Sequence, residues 1–475
     1  MRDHARERAV LAAAIIGIAL GAVDGTVVTT AMPTAVRSLG GLGLYAWIYA
    51  AYTLTAAVSM PLWGKLADLR GSRGLFVLGV LIFVAGSALA GAAPSMGALV
   101  AFRAVQGLGA GALAAVPFTV LGVTFPPSER SRVIGLGSAV WGVASVVGPL
   151  LGSAIVSFLG WRWVFYVNVP VGAVAVWLAW RSVPARPATA ARGLPLDWPG
   201  ALLAAAGVAA LMFGLQLLPR HGHAGPGLLA AAVLLLGAFV WLEQRAPDPV
   251  LAPFLFRRRV FAVANGIAFL SAFAIFAVLD YLPLLVPPGV PLAVGAAILV
   301  FPSSVAWSTA SFTIGRYVPR FGVRPVVAVG TGILAAGLVL LIAAIRPGAN
   351  VWVEALASAP AGLGMGMLGP ALLSGIQNAL PLADMGMGTA AEQFLQQLGG
   401  TVGVAGLQLA FLAALAGVPS ALRGAVASLL AAGGLGSTAT SFGALAGAMR
   451  GAFAVPLLAA AAAFLLSFAI PNTVR

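Results

Sequence analysis

The sequence predicts an all-α protein that crosses a lipid bilayer many times, and three observations carry that prediction. Of its 475 residues, 61% are hydrophobic and only 8% are charged, whereas a soluble domain carries about 25% charged residues. The apolar residues gather in runs long enough for helices of about 20 residues, the length that crosses ~30 Å of hydrocarbon. These runs are apolar throughout rather than at alternate positions, which excludes the strands of a membrane barrel. A disordered chain would be poor in apolar residues and is excluded as well. There is no cysteine, hence no disulfide framework, thiolate metal site or cysteine nucleophile.

Fourteen spans follow along the chain. Six lie near 10–31, 44–63, 74–93, 97–121, 131–158 and 163–181. Two more lie near 199–218 and 227–244, and the last six near 260–286, 292–314, 325–345, 351–378, 387–415 and 451–470. The opening MRDHARERAV has the basic start of a signal peptide, but a signal core is only about 7–15 apolar residues. Here the run continues to Ala31 with Asp24 inside it, so the first span is expected to remain as a helix. The net charge is +14, from 26 basic and 12 acidic residues. The basic residues stand singly or in twos and threes between apolar runs, not on the clustered face that nucleic-acid binding needs. With the N-terminus inside, 19 of them fall in inner loops and six outside, with Arg103 within a span. That asymmetry predicts both termini on the cytoplasmic side of the cytoplasmic (inner) membrane. The Pro- and Arg-rich stretches 182–197 and 245–259 read as cytoplasmic connectors around the middle pair of spans. The Gly-, Ala- and Ser-rich stretch 416–450 reads as a flexible outer loop or small hairpin.

The chain repeats itself. GKLADLRGSRG at 64–74 matches GRYVPRFGVRP at 315–325, with Gly64, Gly71 and Arg73 each 251 residues before Gly315, Gly322 and Arg324. GSAVWGVASVVG at 137–148 faces GTAAEQFLQQLG at 388–399 at the same offset, and GLGAG at 107–111 meets GLGMG at 362–366 at 255. The repeat divides the chain into a six-helix bundle at 1–195, two additional helices and a linker at 196–254, and a second six-helix bundle at 255–475. An even number of helices per half makes the repeats parallel, an arrangement found in transporters whose halves rock about a midplane site.

Several motifs in order resemble the major facilitator superfamily, and in particular its fourteen-helix drug:proton antiporter branch. They are VDGTVVTTAMP at 23–33, GKLADLRGSRG at 64–74, RAVQGLGAGA at 103–112, GVASVVGPLLG at 142–152 and WRWVFYVNVPVG at 161–172. The resemblance covers nearly the whole chain and implies the major-facilitator fold with 14 transmembrane helices. It departs from the family where Ser72 follows Gly71, where Pro319 replaces the first copy's Asp68, and where EQFLQQLGG at 392–400 has Glu392 and glutamines for an Asn and an Arg.

The charged residues inside spans are the candidates for chemistry. Asp24 lies about fourteen residues into its span, roughly 21 Å along a helix rising 1.5 Å per residue. A charge there is costly unless paired or hydrated; it reads either as a proton-carrying group or as a structural hydrogen-bond partner. For Arg103 the resemblance implies a part in proton transfer, and snorkelling to the interface is the alternative. Asp280, near Asp24's repeat mate, is a third candidate for coupling, or a solvated residue where its helix unwinds at Pro283. Glu392, with Gln393 and Gln396, forms a polar stripe that suits either coupling and substrate contact or interhelical packing. Glu354, near a helix end, reads as solvated. Tyr52, Trp141 and Phe394 are candidate aromatic lining of a substrate cavity, and Gln106, Gln393 and Gln396 its candidate polar lining. Asp68 with Lys65, Arg70 and Arg73, together with Gly64 and Gly71, forms a charged turn able to latch onto a facing helix terminus; the resemblance implies that it stabilises the outward-facing state. Gly142, Gly148 and Gly152 permit close helix contact and Pro149 a bend.

The function expected is export of hydrophobic or cationic compounds against protons by alternating access. A lipid or glycolipid exporter of the same fold is the alternative, with a non-transporting receptor or scaffold behind it. The expected partners are a hydrophobic small-molecule or lipid substrate, protons and the bilayer, with the protein a monomer. No cofactor, metal or catalytic group is expected: His221 and His223 make at most a weak metal pair, no catalytic triad occurs, and the absence of GxxxxGK[ST] argues against ATP-driven pumping.

Overall fold

The computed structural model describes residues 4–185, 197–218, 222–246, 249, 253–287, 290–346, 350–420, 422, 424 and 439–471. Every described element is helical, and there is no strand among the described residues. In hydrocarbon each backbone N–H and C=O must find a partner within its own segment, which a helix provides. The first six helices are α1 (His4–Leu39), α2 (Tyr45–Arg70), α3 (Ser72–Gly91), α4 (Met96–Thr124), α5 (Pro127–Leu159) and α6 (Trp163–Ser182). The middle pair is α7 (Trp198–Leu217) and α8 (Ala224–Glu243). The remainder are α9 (Arg259–Tyr281), α10 (Leu292–Ile314), α11 (Val323–Ala344), α12 (Val351–Ala379), α13 (Met385–Ala416) and α14 (Phe442–Ser467). Each stands where a span is predicted. Among the described residues 12 helices are long and apolar enough to cross a membrane, and α2 and α7 add two of 26 and 20 residues. This is a multi-pass membrane protein.

Some bounds differ from expectation. α1 begins at His4 rather than near residue 10, because HARERA continues the helix with Glu7 in its first turn. α6 is broken at Val167; Pro170 has no N–H to return to the Tyr166 carbonyl. α9 gives way to a tight turn at Leu282–Leu285, which contains Pro283. The last helix starts before residue 451, so residues 439–450 are helical rather than part of an outer loop. Most of that loop, much of the 182–197 linker, parts of the 245–259 linker, and His221 lie outside the described residues.

The chain forms two compact units: residues Met1–Ala262 with Leu373–Phe394, and residues Val263–Leu372 with Leu395–Arg475. In the first, α4 packs on α2 and α3, and α1 packs on α4, α5 and α6. Hydroxyls and an indole stitch these helices to neighbouring carbonyls: Thr55 Oγ1 donates to Ala104 O at 2.8 Å, Trp63 Nε1 to Leu108 O at 2.8 Å and Thr26 Oγ1 to Ala144 O at 3.1 Å. α7 pairs with α8 and rests on α2, with the Phe213 and Trp47 rings 4.9 Å apart. In the second unit α11 packs on α14, and Gly399 and Gly403 of α13 lie against the backbone of Phe269 and Phe273 on α9.

The repeat seen in the sequence is a repeat of close contacts. Gly109 of α4 lies on Gly79 and Phe83 of α3, and its mate Gly364 of α12 lies on Gly330 and Leu334 of α11. Gly71 and Gly322 both sit at positive φ, 83° and 86°, before the first residue of α3 and of α11. A side chain is strained in that region and glycine is not.

Candidate functional site

The first unit buries one charged network. Asp24 is 2% and Arg103 1% exposed, and Arg103 Nη1 donates to Asp24 Oδ2 at 2.7 Å. The same Nη1 donates to Gln106 Oε1 at 2.7 Å, one turn along α4. Gln106 Nε2 in turn donates to Asp24 Oδ1 at 2.8 Å. α6 adds Asn168, whose Nδ2 donates to Asp24 Oδ1 at 2.9 Å and to Ser87 Oγ of α3 at 3.0 Å. Ser87 Oγ donates to Phe165 O at 2.9 Å. The guanidinium carbon of Arg103 lies 3.9 Å from the centre of the Tyr52 ring and 5.9 Å from that of Phe165. An always-charged guanidinium is thus held between a carboxylate, an amide and an aromatic face, each of which favours it. Its Nε, also buried, makes no hydrogen bond.

The structure therefore joins Asp24, Arg103, Gln106 and Tyr52, which the sequence assigned to two different roles. It does not bring the other acids into this network. Asp280 is exposed in the last turn of α9, where the neighbouring Tyr281 meets Phe411 edge to face at 6.2 Å. Glu392 is 1% exposed and accepts from Gln393 Nε2 at 2.7 Å. Gln393 and Gln396 are half-buried, Phe394 is buried, and Trp141 is exposed. Glu354, expected to be solvated, is 2% exposed. Its place in the first turn of α12, with Ser358 bonded to Leu299 O one turn on, puts it under neighbouring helices.

The charged segment is helical rather than a turn: Lys65, Asp68 and Arg70 lie at the end of α2 and Arg73 at the start of α3, with Gly71 between them. Asp68 accepts from Gly386 N at 2.7 Å and Met387 N at 2.8 Å, two donors in the first turn of α13. A carboxylate there satisfies orphan N–H groups and meets the positive end of the helix dipole. Gly64 lets α2 approach Gly386 and Ala390 closely. Asp68 lies past the apolar stretch of its helix, and burial pushes its carboxyl up to about 7, while the Met387 and Gly386 N–H groups pull it back. Lys65 is buried beside it, again lowering it. Arg73 instead lies over the Trp180 ring of α6 at 4.4 Å, and Arg70 is exposed at the end of α2. On α5, Gly148 and Gly152 lie against Thr26 and Thr30 of α1; Gly142 is buried and Pro149 sits within the unbroken helix.

Sequence reasoning missed four polar partners. Asn168 and Ser87 complete the Asp24 network, and Asn168 lies inside the quoted motif WRWVFYVNVPVG, where one amide in an apolar run was the available signal. Arg130, counted only toward topology, is 8% exposed. Its Nε donates to Gly122 O at 2.8 Å and Phe125 O at 3.1 Å, and its Nη1 to Asn378 Oδ1 at 2.9 Å and Gln377 O at 3.3 Å. Gln377 Nε2 donates to Phe118 O at 3.1 Å and Thr389 Oγ1 at 3.0 Å. The end of α12 and the start of α13 are thus held by Arg130 as well as by Asp68.

Comparison with known proteins agrees with this architecture. The family model described as Major Facilitator Superfamily matches residues 14–404. The multidrug transporter protein MdtP of Bacillus subtilis is 33% identical over 395 residues, covering 82% of this chain and 72% of its own. The puromycin resistance protein pur8 of Streptomyces alboniger is 33% identical over 472 residues, covering 94% and 88%. Among solved structures, the human organic anion transporter MFSD10 superposes with a TM-score of 0.66 at 15% identity, covering 97% of this chain and 100% of its own. The proton:xylose symporter XylE gives 0.64 at 16% identity, covering 99% and 97%. The chain belongs to the Major Facilitator Superfamily, whose members are membrane transporters and not enzymes.

Proposed function

We propose that this protein is a proton-coupled exporter of hydrophobic or cationic compounds, set in the cytoplasmic membrane with both termini inside. The observation that carries the reading is the buried Asp24–Arg103 pair deep in an apolar bundle. Such a pair is costly to hold away from water and is weak support for stability alone, so an ionisable pair within a membrane is a functional site by default. A proton arriving on Asp24 removes one of the two charges, and Arg103 must then find other partners. The relatives' names, a multidrug transporter and a puromycin resistance protein among them, support drug-like cargo. The parallel repeat of residues 1–195 and 255–475 supports alternating access. Asp68 serves as a latch on α13, held by two N–H groups in the first turn of that helix, a contact that can be made and broken in each cycle.

The test is ethidium uptake into inverted membrane vesicles under an imposed proton gradient, wild type beside Asp24→Asn. The expected result is gradient-dependent uptake by the wild type, and uptake at the level of vesicles without the protein for the variant. Equal uptake by the two would remove Asp24 from coupling.

A further inference from the structure

We infer that Asn168 and Gln106 reserve one oxygen of Asp24, so that an incoming proton is directed to the other, Oδ2, the oxygen that holds Arg103. This rests on the proton-coupling reading of Asp24 and specifies where on that side chain the proton goes.

A carboxylate has about four lone-pair sites, two on each oxygen. Oδ1 uses both of its own, accepting from Gln106 Nε2 at 2.8 Å and Asn168 Nδ2 at 2.9 Å. Oδ2 accepts from Arg103 Nη1 at 2.7 Å, which leaves it one site for a proton. Neither amide can turn to make room. Ser87 Oγ spends its only hydrogen on Phe165 O, so it must accept from Asn168, and Asn168 must present its Nδ2 hydrogens to Ser87 and Asp24 together. Reversing that amide would set its oxygen against two acceptors. Gln106 is fixed likewise, because its Oε1 takes Arg103 Nη1 and only its Nε2 remains for Asp24.

Protonation then converts the carboxylate to a neutral acid with its O–H on Oδ2, and the bond from Arg103 Nη1 to that oxygen loses its charge assistance, a hydroxyl oxygen being a weaker acceptor than a carboxylate oxygen. Arg103 keeps Gln106 Oε1 and the Tyr52 face, and its unspent Nε is available to a new acceptor. Proton binding on α1 and loosening of the guanidinium on α4 become the same event. Were the proton to settle on Oδ1, it would have to displace the Gln106 or Asn168 amide, and Arg103 would stay on Oδ2. The ionisable groups facing Asp24 are Arg103 and, from α2, Tyr52. Of the other helices packed around it, α5 is ionisable only at Glu129, Arg130 and Arg132, α6 at Tyr166 and Arg181, and α3 at Arg73. Asn168 is thus a positioning residue that acts through Asp24.

Infrared difference spectroscopy of the purified full-length protein on acidification tests this without any transport. Asp24→Asn identifies the Asp24 carboxyl band by removing it. With the proton on Oδ2, the C=O oxygen is Oδ1, and it accepts two hydrogen bonds, which lowers its stretching frequency. Asn168→Ala removes one donor and shifts the band to higher wavenumber; Ser87→Ala, which leaves the amide in place but frees it to turn, shifts the band the same way by less. A band that Asp24→Asn removes and neither variant moves overturns the oxygen assignment and leaves the coupling reading intact. No Asp24-dependent band overturns both. Ethidium uptake is measured separately, so a dye that is not carried leaves the spectroscopic result standing.

Discussion

At Asp24 the cost of burying charge is offset by partners from three other helices: Arg103 and Gln106 on α4, Asn168 on α6 and, through it, Ser87 on α3. Removing one member of a buried pair strands the other's charge, at about 3–5 kcal/mol, whereas removing both is far less costly. Arg103→Gln is therefore expected to lower the melting temperature more than the double variant Asp24→Asn/Arg103→Gln. Thermal unfolding in detergent gives the cycle, and an additive double variant would mean the two charges do not depend on each other. Gly86 makes a second test, because a Cβ there would lie 2.5 Å from the Gln106 backbone N and 2.6 Å from its Cα. Gly86→Ala overpacks this seam at about 1–3 kcal/mol, so both the melting temperature and gradient-driven uptake should fall; an unchanged melting temperature would refute the close contact. Asp24 and Arg103 were legible in the sequence because charges in apolar runs are rare. Asn168 and Ser87 were not, since neutral polar residues are common in spans and these two acquire meaning only when α3 and α6 reach α1.

Between elements, the junction of α12 with α13 is gripped twice, by Asp68 on the first N–H groups of α13 and by Arg130 on Gln377 and Asn378. A carboxylate at a helix start contributes about 0.3–1 kcal/mol when exposed and up to ~2 when partly buried. Because the chain has no cysteine, an Ala67→Cys background reports directly on this contact from a position that is 4% exposed. Asp68→Asn should raise maleimide labelling at that cysteine several-fold, in line with about 1 kcal/mol of lost grip. Unchanged labelling would show that the carboxylate is not what holds α2 to α13. Arg130→Gln combined with Asp68→Asn should depart from additivity in the same assay, as contacts on one junction do. The repeated turn was readable beforehand: Gly71 and Gly322, matched at a fixed offset, both take the positive φ that lets a helix end and another begin. Asp68's partners lie 318 and 319 residues away and are backbone groups; no side-chain pattern marks a backbone donor, so the sequence could indicate a helix terminus but not which one.

For the whole molecule, the sign of the loops decides which way the helices run. α3 is a direct reporter: its 20 residues rise about 30 Å at 1.5 Å per residue, enough to span the hydrocarbon. Lys65, Arg70 and Arg73 gather at its start, while the stretch from Ala92 to Met96 at its end carries no charge. Basic residues are retained on the cytoplasmic side during insertion, so the start of α3 should lie inside and its end outside. Gly74, exposed with open space where a side chain would go, and Ala92, exposed at the helix end, are suitable single-cysteine positions on the cysteine-free chain. In intact bacterial cells a membrane-impermeant maleimide should modify Ala92→Cys and spare Gly74→Cys, and inverted vesicles should exchange the two. The opposite pattern would place both ends of the chain outside, against the distribution of basic residues. Labelling of both positions from one face would mean that α3 does not cross the bilayer, which the packing of α3 along α4, itself a span 29 residues long, does not permit.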